Sequence, residues 1–157
     1  MNYTIRHLKY DETHILDTFL YEAIFIPEGV EAPPRSIIYD PSLQVYVENF
    51  GSRKGDLCLV AENDDKIIGA VWVRIMNDYG HVDDETPSFA ISLLKEYRGF
   101  GIGTELMKKM IAELEKLGIK QASLSVQKDN YAWKMYKKLG FEIVDENAEE
   151  YIMLYKL

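Results

Sequence analysis

The sequence predicts one α/β domain, a mixed β-sheet covered by helices. Three observations carry that expectation. Segments of alternating hydrophobicity take turns with segments of helical period along the chain. The 157 residues, 47% hydrophobic and 28% charged, suffice for one core and have an ordinary globular composition. No internal repeat or low-complexity linker breaks the pattern.

Tyr3-Thr4-Ile5-Arg6 alternates as a short strand. Asp11 to Phe25 reads as a helix with Ile15, Leu16, Phe19, Leu20 and Ala23 on one face. Pro27-Glu28-Gly29 through Pro33-Pro34 is a loop, and Pro41 to Phe50 a second helix with Pro in its first turn. Asp56 to Glu62 and Lys66 to Met76 are two strands joined by the tight turn Asn63-Asp64-Asp65. A polar stretch from Asn77 through Asp78, Tyr79 and Gly80 to Glu85 precedes a buried strand, Phe89 to Leu94. Gly99 to Gly103 is a glycine-rich turn. Thr104 to Leu117 is the strongest helix, its stripe made by Ile102, Leu106, Met110, Ile111, Leu114 and Leu117 and its end set by Gly118. Gln121 to Val126 is a strand, and Asp129-Asn130 caps a short helix from Tyr131 to Leu139 that Gly140 ends. Phe141 to Val144 and Tyr151 to Leu157 are the last strands.

With 18 Lys and Arg against 26 Asp and Glu, the net charge is −8. That balance argues against a general nucleic-acid binder, which needs clustered cations for phosphate. Cys58 is the only cysteine, set among Leu57, Leu59 and Val60, so it reads as a small buried hydrophobe and no intrachain disulfide forms. The charged, alternating N-terminus is not a signal peptide, and no apolar run nears the ~18 residues that span a bilayer. These features together predict a cytoplasmic protein with no membrane partner.

The most informative segment is Tyr97-Arg98-Gly99-Phe100-Gly101-Ile102-Gly103-Thr104, between a strand and the strongest helix. Glycines let the main chain turn sharply and approach an anion, and the helix N-terminus favours negative charge. Two nucleotide motifs fail on spacing. A Walker A loop needs Lys after the last glycine, where Thr104 stands, and a dinucleotide fingerprint needs glycine at Leu106.

A second block runs from Ser125 to Phe141. With Arg98-x-x-Gly101-x-Gly103, its Asn130-x-Ala132, Met135-Tyr136 and Leu139-Gly140-Phe141 resemble the GCN5-related N-acetyltransferase (GNAT) family, which moves acyl groups from acyl-CoA to amines. The element order agrees over nearly the whole chain, although the first ~55 residues carry no diagnostic motif. The resemblance implies a mostly antiparallel sheet of about six or seven strands in the acyl-CoA N-acyltransferase fold. It implies that main-chain amides of Arg98, Gly99, Phe100, Gly101, Ile102, Gly103 and Thr104 cradle the pyrophosphate of acetyl-CoA. Ile91, Ser92 and Leu93 would pair with the pantetheine arm, Asn130 would contact the arm or order its loop, and Tyr136 would sit near the thioester sulfur. Lys128, Lys134, Lys137 and Lys138 flank this block and read as a solvated helix face; the alternative reading is that some of them meet the adenosine phosphates.

Acylation by a thioester sets three demands: a neutral amine, donors for the oxyanion and a proton for the thiolate. Tyr136 is the expected acid. Glu85, beside Asp83 and Asp84, is the expected base, with Glu22 as a rival. A main-chain N–H near Leu93 is the expected oxyanion donor. Cys58 has no activating neighbour in sequence, so direct transfer is expected over a covalent acyl-cysteine. His81 near Asp83 and Asp84 has only generic spacing, so no metal is expected.

The acceptor is expected to be a small-molecule or peptide amine. Tyr21, Glu22, Phe25 and Trp72, with Ile26, Tyr39 and the Pro33-Pro34-Arg35 loop, are the expected pocket. A reading of a different class, a non-catalytic acyl-CoA sensor or interaction module, shares the loop but needs no chemistry at Tyr136. The apolar strands also offer an edge for a homodimer.

Overall fold

A computed structural model describes residues 2–76 and 81–157. Asn77, Asp78, Tyr79 and Gly80 of the polar stretch lie outside the described residues. Seven strands form one sheet: β1 (Thr4–His7), β2 (Leu57–Asn63), β3 (Lys66–Arg74), β4 (Ser88–Leu93), β5 (Gln121–Gln127), β6 (Glu142–Glu146) and β7 (Glu150–Lys156). Their spatial order is β1-β2-β3-β4-β5-β7-β6, antiparallel throughout except for the parallel β4–β5 pair. The mixed, mostly antiparallel seven-stranded sheet is the architecture expected.

The α-helices are α1 (Leu16–Glu22), α2 (Pro41–Gln44), α3 (Ile102–Lys116) and α4 (Ala132–Leu139). Each sheet face has its own core. One gathers Leu106, Met107, Met110 and Leu114 of α3 with Tyr136 of α4, Phe89, Phe141 and Met153. The other gathers Leu16, Phe19 and Leu20 of α1 with Ile38, Cys58, Ala70 and Trp72. The strand period of two assigns alternate residues to each side. Gly69 on β3 serves the contact between strand and helix, because a Cβ there would collide with Leu93 Cδ2 and crowd Leu106.

Two helices differ from expectation. The span read as Asp11 to Phe25 is a 3₁₀ segment, Tyr10–Ile15, followed by α1. Its first turn is tightened by Glu12, which accepts from the Lys9 N–H at 2.8 Å while the Glu12 N–H donates to the Lys9 carbonyl at 3.0 Å. Its end comes early because Pro27 has no N–H to bond Ala23 and disfavours helix at Ile26. The second helix, read as Pro41 to Phe50, keeps only Pro41–Gln44 and continues as turns. Arg74 takes the carbonyls of Val45 and Glu48 at 3.1 and 2.8 Å, and Asn49 adopts φ 50°.

Arg6 holds both Glu12 oxygens at 2.9 Å and Glu62 Oε2 at 3.0 Å. These hydrogen bonds pull the Glu12 carboxyl down to about 2. A depressed carboxyl contributes stability above its unfolded pKa and loses it as pH falls toward 2. Arg6→Met should therefore flatten the acid dependence: its urea midpoint should fall less between about pH 6 and about pH 3 than that of the parent protein. An unchanged slope would remove the pair from the acid response.

Candidate active site

The sheet opens between β4 and β5. They are in register only at Ser88↔Ser123, where the Ser123 N–H also donates to the Pro87 carbonyl at 3.0 Å. Each strand is laddered along its outer side, β4 to β3 and β5 to β7. Past Ser88 the inner edge of β4 has no strand partner among the described residues. Main-chain N–H and C=O groups require hydrogen bonds, so this edge can receive an amide-bearing linear ligand as an added strand.

The chain leaving β4 makes the glycine turn. Lys95–Tyr97 is one 3₁₀ turn. Gly99 and Gly101 then stand at φ +85° and +82°, left-handed positions where a Cβ would meet nothing within 4 Å. They leave bare backbone before the first turn of α3, which Ile102 and Leu106 anchor in the core. Arg98 is a strut. Its Nε donates to the Leu93 carbonyl at 3.1 Å, and its guanidinium reaches the Glu22 carbonyl and Oε2, both at 3.2 Å.

A cleft of about 1090 Å³ runs from this turn to the gap, lined by Ser92, Leu93, Arg98, Gly101, Lys134 and Tyr136 among others. A smaller cavity of about 290 Å³ lies beyond it, lined by Leu20, Phe25, Leu43, Tyr46, Gln127 and Glu150 among others. Ile91, Asn130, Tyr136 and the 23–25 segment line both, so the two spaces meet at the gap. Asn130 Oδ1 accepts from the Ala132 N–H at 3.0 Å and so orders the turn into α4. Tyr136 is 8% exposed, and burial pushes its phenol up to about 12. It therefore stays protonated through neutral pH.

Several expected residues meet here. Ile91, Ser92, Leu93, Arg98, Gly99, Gly101, Gly103, Thr104, Asn130 and Tyr136 all line the cleft, as do Tyr21, Glu22 and Phe25. Some have different duties from those expected. The Ser92 hydroxyl donates to the Phe19 carbonyl at 2.6 Å, tying α1 to β4. The Tyr21 hydroxyl donates to the Pro33 carbonyl at 2.6 Å. Phe100 is exposed and Ile102 wholly buried, so neither side chain lines the cleft.

Two expectations need correction. Trp72 is not a pocket residue: both faces of β3 are covered, the ring is fully buried, and its Nε1 donates to the Tyr46 carbonyl at 3.1 Å. Glu85 is exposed in the loop before β4 and lines neither space; its N–H donates to Asp83 Oδ1 at 2.8 Å. Glu22 is at the cleft but held in an ion pair with Arg98. Lys134 and Lys138 line the cleft, while the Lys128 ammonium lies 3.4 Å from Glu146. Burial pushes the Cys58 thiol far up, which suits packing and not attack. Among the described residues no cluster of three His, Cys, Asp or Glu could hold a metal, and no helix is long and apolar enough to cross a membrane. Sequence reading did not single out Gln127, Tyr46 or Glu150, whose placement depends on strand pairing.

Residues 21–141 match the family model for the acetyltransferase (GNAT) family. The chain is 34% identical over 104 residues to [ribosomal protein bS18]-alanine N-acetyltransferase of Haemophilus influenzae, covering 66% of this chain and 65% of that protein. It is 36% identical over 101 residues to the probable N-acetyltransferase san of Drosophila melanogaster, covering 62% and 53%. The chain thus spans less than two thirds of either relative. In fold it is similar to the PaiA N-acetyltransferase of Thermoplasma acidophilum in complex with coenzyme A, with TM-score 0.73 at 22% identity over all of both chains. It is similar too to the ribosomal-protein-S18-alanine N-acetyltransferase of Escherichia coli, with TM-score 0.69 at 18% identity over 99% of this chain and 94% of that one.

Proposed function

The chain belongs to the GNAT acetyltransferase family, and from that premise we propose that it transfers the acetyl group of acetyl-CoA directly to a primary amine. The observation that carries this reading is the open gap between β4 and β5, which joins the glycine-lined cleft to the smaller cavity beside a protonated Tyr136. Acetyl-CoA supplies an acyl group already activated as a thioester. The residues fit it: bare backbone at Gly99 and Gly101 suits a pyrophosphate, Lys134 and Lys138 suit further phosphate, and the unpaired edge of β4 suits the amides of the pantetheine arm. Main-chain N–H groups on that edge are the donors available to an oxyanion. Tyr136 gives its proton to the departing sulfur.

The test is release of coenzyme thiol from acetyl-CoA with a panel of primary amines. A peptide beginning with alanine heads the panel, after the acceptor named for the Haemophilus relative. Amine-dependent thiol release supports the transferase. Tight coenzyme binding without release on any amine would leave the non-catalytic binding module standing instead.

The turn makes a sharper claim. Gly101 at φ +82° is strained by any Cβ, whereas Gly103 has ordinary φ and its added Cβ would meet Leu93 and Ile91 at 3.8 and 3.9 Å. The strain, ~1–2 kcal/mol, is relieved by moving the loop away from its coenzyme-ready shape. Gly101→Ala should thus weaken coenzyme A binding about tenfold by calorimetry, and Gly103→Ala by no more than about threefold. Equal losses would show that main-chain conformation is not what the turn contributes.

A further inference from the structure

We infer that Glu150 is the acceptor-side carboxylate, which draws in the ammonium of the incoming amine and takes its proton; the inference rests on the transferase reading above. Its position follows from alternation. Leu124 and Val126 of β5 and Tyr151 and Met153 of β7 pack on the α3–α4 core. Their neighbours Ser125, Gln127 and Glu150 therefore face the α1–α2 side. Gln127 and Glu150 are opposite each other in the β5–β7 ladder, and both line the smaller cavity. Tyr136 comes from α4, on the other face, and reaches that cavity too. The gap in the sheet thus has a phenol on one side and a carboxylate on the other.

Charge points the same way. Among the described residues lining the smaller cavity, Glu150 brings the one carboxyl group and no Lys, Arg or His is present; Tyr46 and Tyr136 are the other titratable groups, and the remainder are apolar or neutral. One carboxylate in an otherwise uncharged cavity selects an acceptor presenting a single ammonium on a compact body. Of the rival bases, Glu22 lines the larger cleft but not this cavity, and Glu85 lines neither.

The protons balance. The ammonium gives one proton to Glu150. The freed nitrogen lone pair forms a bond to the acetyl carbonyl carbon, and the carbon–sulfur bond breaks. The sulfur leaves with the Tyr136 proton. The second nitrogen proton, lost as the amide forms, returns through water to the phenolate. Glu150 releases its proton to solvent, so an amide, a thiol and one proton are the products.

The test compares n-butylamine, a cation at neutral pH, with 2,2,2-trifluoroethylamine, which is neutral there and needs no base. Glu150→Gln should lower kcat/KM for butylamine about 100-fold and for trifluoroethylamine less than about tenfold. Glu150→Asp should recover at least about tenfold of the butylamine loss, and coenzyme affinity should not move. Equal loss on both amines, or none, overturns the assignment. Should the parent protein release no thiol with either amine, the transferase reading fails separately. Glu150 is then judged on binding: coenzyme-loaded protein should bind butylammonium at least about tenfold more tightly than Glu150→Gln, and equal affinities overturn it.

Discussion

Tyr136→Phe should lower kcat by about 10²–10⁴-fold and leave coenzyme A affinity within about threefold. The substitution removes one oxygen and keeps the ring that packs beside Phe141, 6.0 Å between centroids. Stability should hardly change, so a lost rate is not a lost fold. The chemistry needs the oxygen because a thiolate leaves more readily when it gains a proton. Burial holds the phenol near 12, well above the ordinary 10. A group raised in this way keeps its proton as pH rises, so Tyr136 should impose no falling limb on the rate until pH approaches 12. The kcat-against-KM split decides the role: a loss confined to kcat marks proton donation, and a loss confined to coenzyme affinity marks packing. Unchanged turnover would end the assignment.

How far the sequence could be read depended on how local each signal was. The α3 stripe and its glycine stop are local, and the helix appears nearly where read, beginning at Ile102. The hairpin between β2 and β3 is local too: Asp64 and Asp65 take φ 49° and 64°, as a two-residue turn requires. The glycine turn and the Asn130 cap are also short-range features. Other features depend on partners far along the chain. The run after Pro41 has helical period, yet Arg74, from a strand 26 residues past Glu48, captures its carbonyl. Trp72 looks like a pocket residue until β3 proves covered on both faces. Glu150 looks like one more surface acid. Only the register opposite Gln127 brings it to the cavity, and single-sequence periodicity contains no register.

Asp56→Ala should cost about 3–5 kcal/mol of stability, the largest loss expected from one substitution outside the hydrophobic core. The side chains of Asp56 and Arg74 are both wholly buried. Arg74 Nε and Nη2 donate to Asp56 Oδ1 and Oδ2 at 3.0 and 2.9 Å, and the guanidinium covers the Phe50 ring at 5.1 Å. Asp56 Oδ2 also accepts from the Gly51 and Arg53 N–H groups at 2.9 and 3.1 Å. Removing the carboxylate strands a buried cation and frees two turn amides, which costs far more than the pair gains over an apolar replacement. For a domain of this size the loss should lower Tm by roughly 6–20 °C. Adding Arg74→Met should recover much of it, because the stranded charge is then gone. The pair also holds one wall of the smaller cavity. Arg74 fixes the Val45 and Glu48 carbonyls around Tyr46, whose own carbonyl is held by Trp72 and which lines the smaller cavity. The Asp56→Ala protein, assayed below its melting range, should show a raised amine KM and an unchanged coenzyme Kd, since the glycine turn belongs to the other end of the cleft. A loss below about 1 kcal/mol, or equal damage to both ligands, would show that this buried pair neither holds the 45–56 segment nor shapes one wall of the cavity.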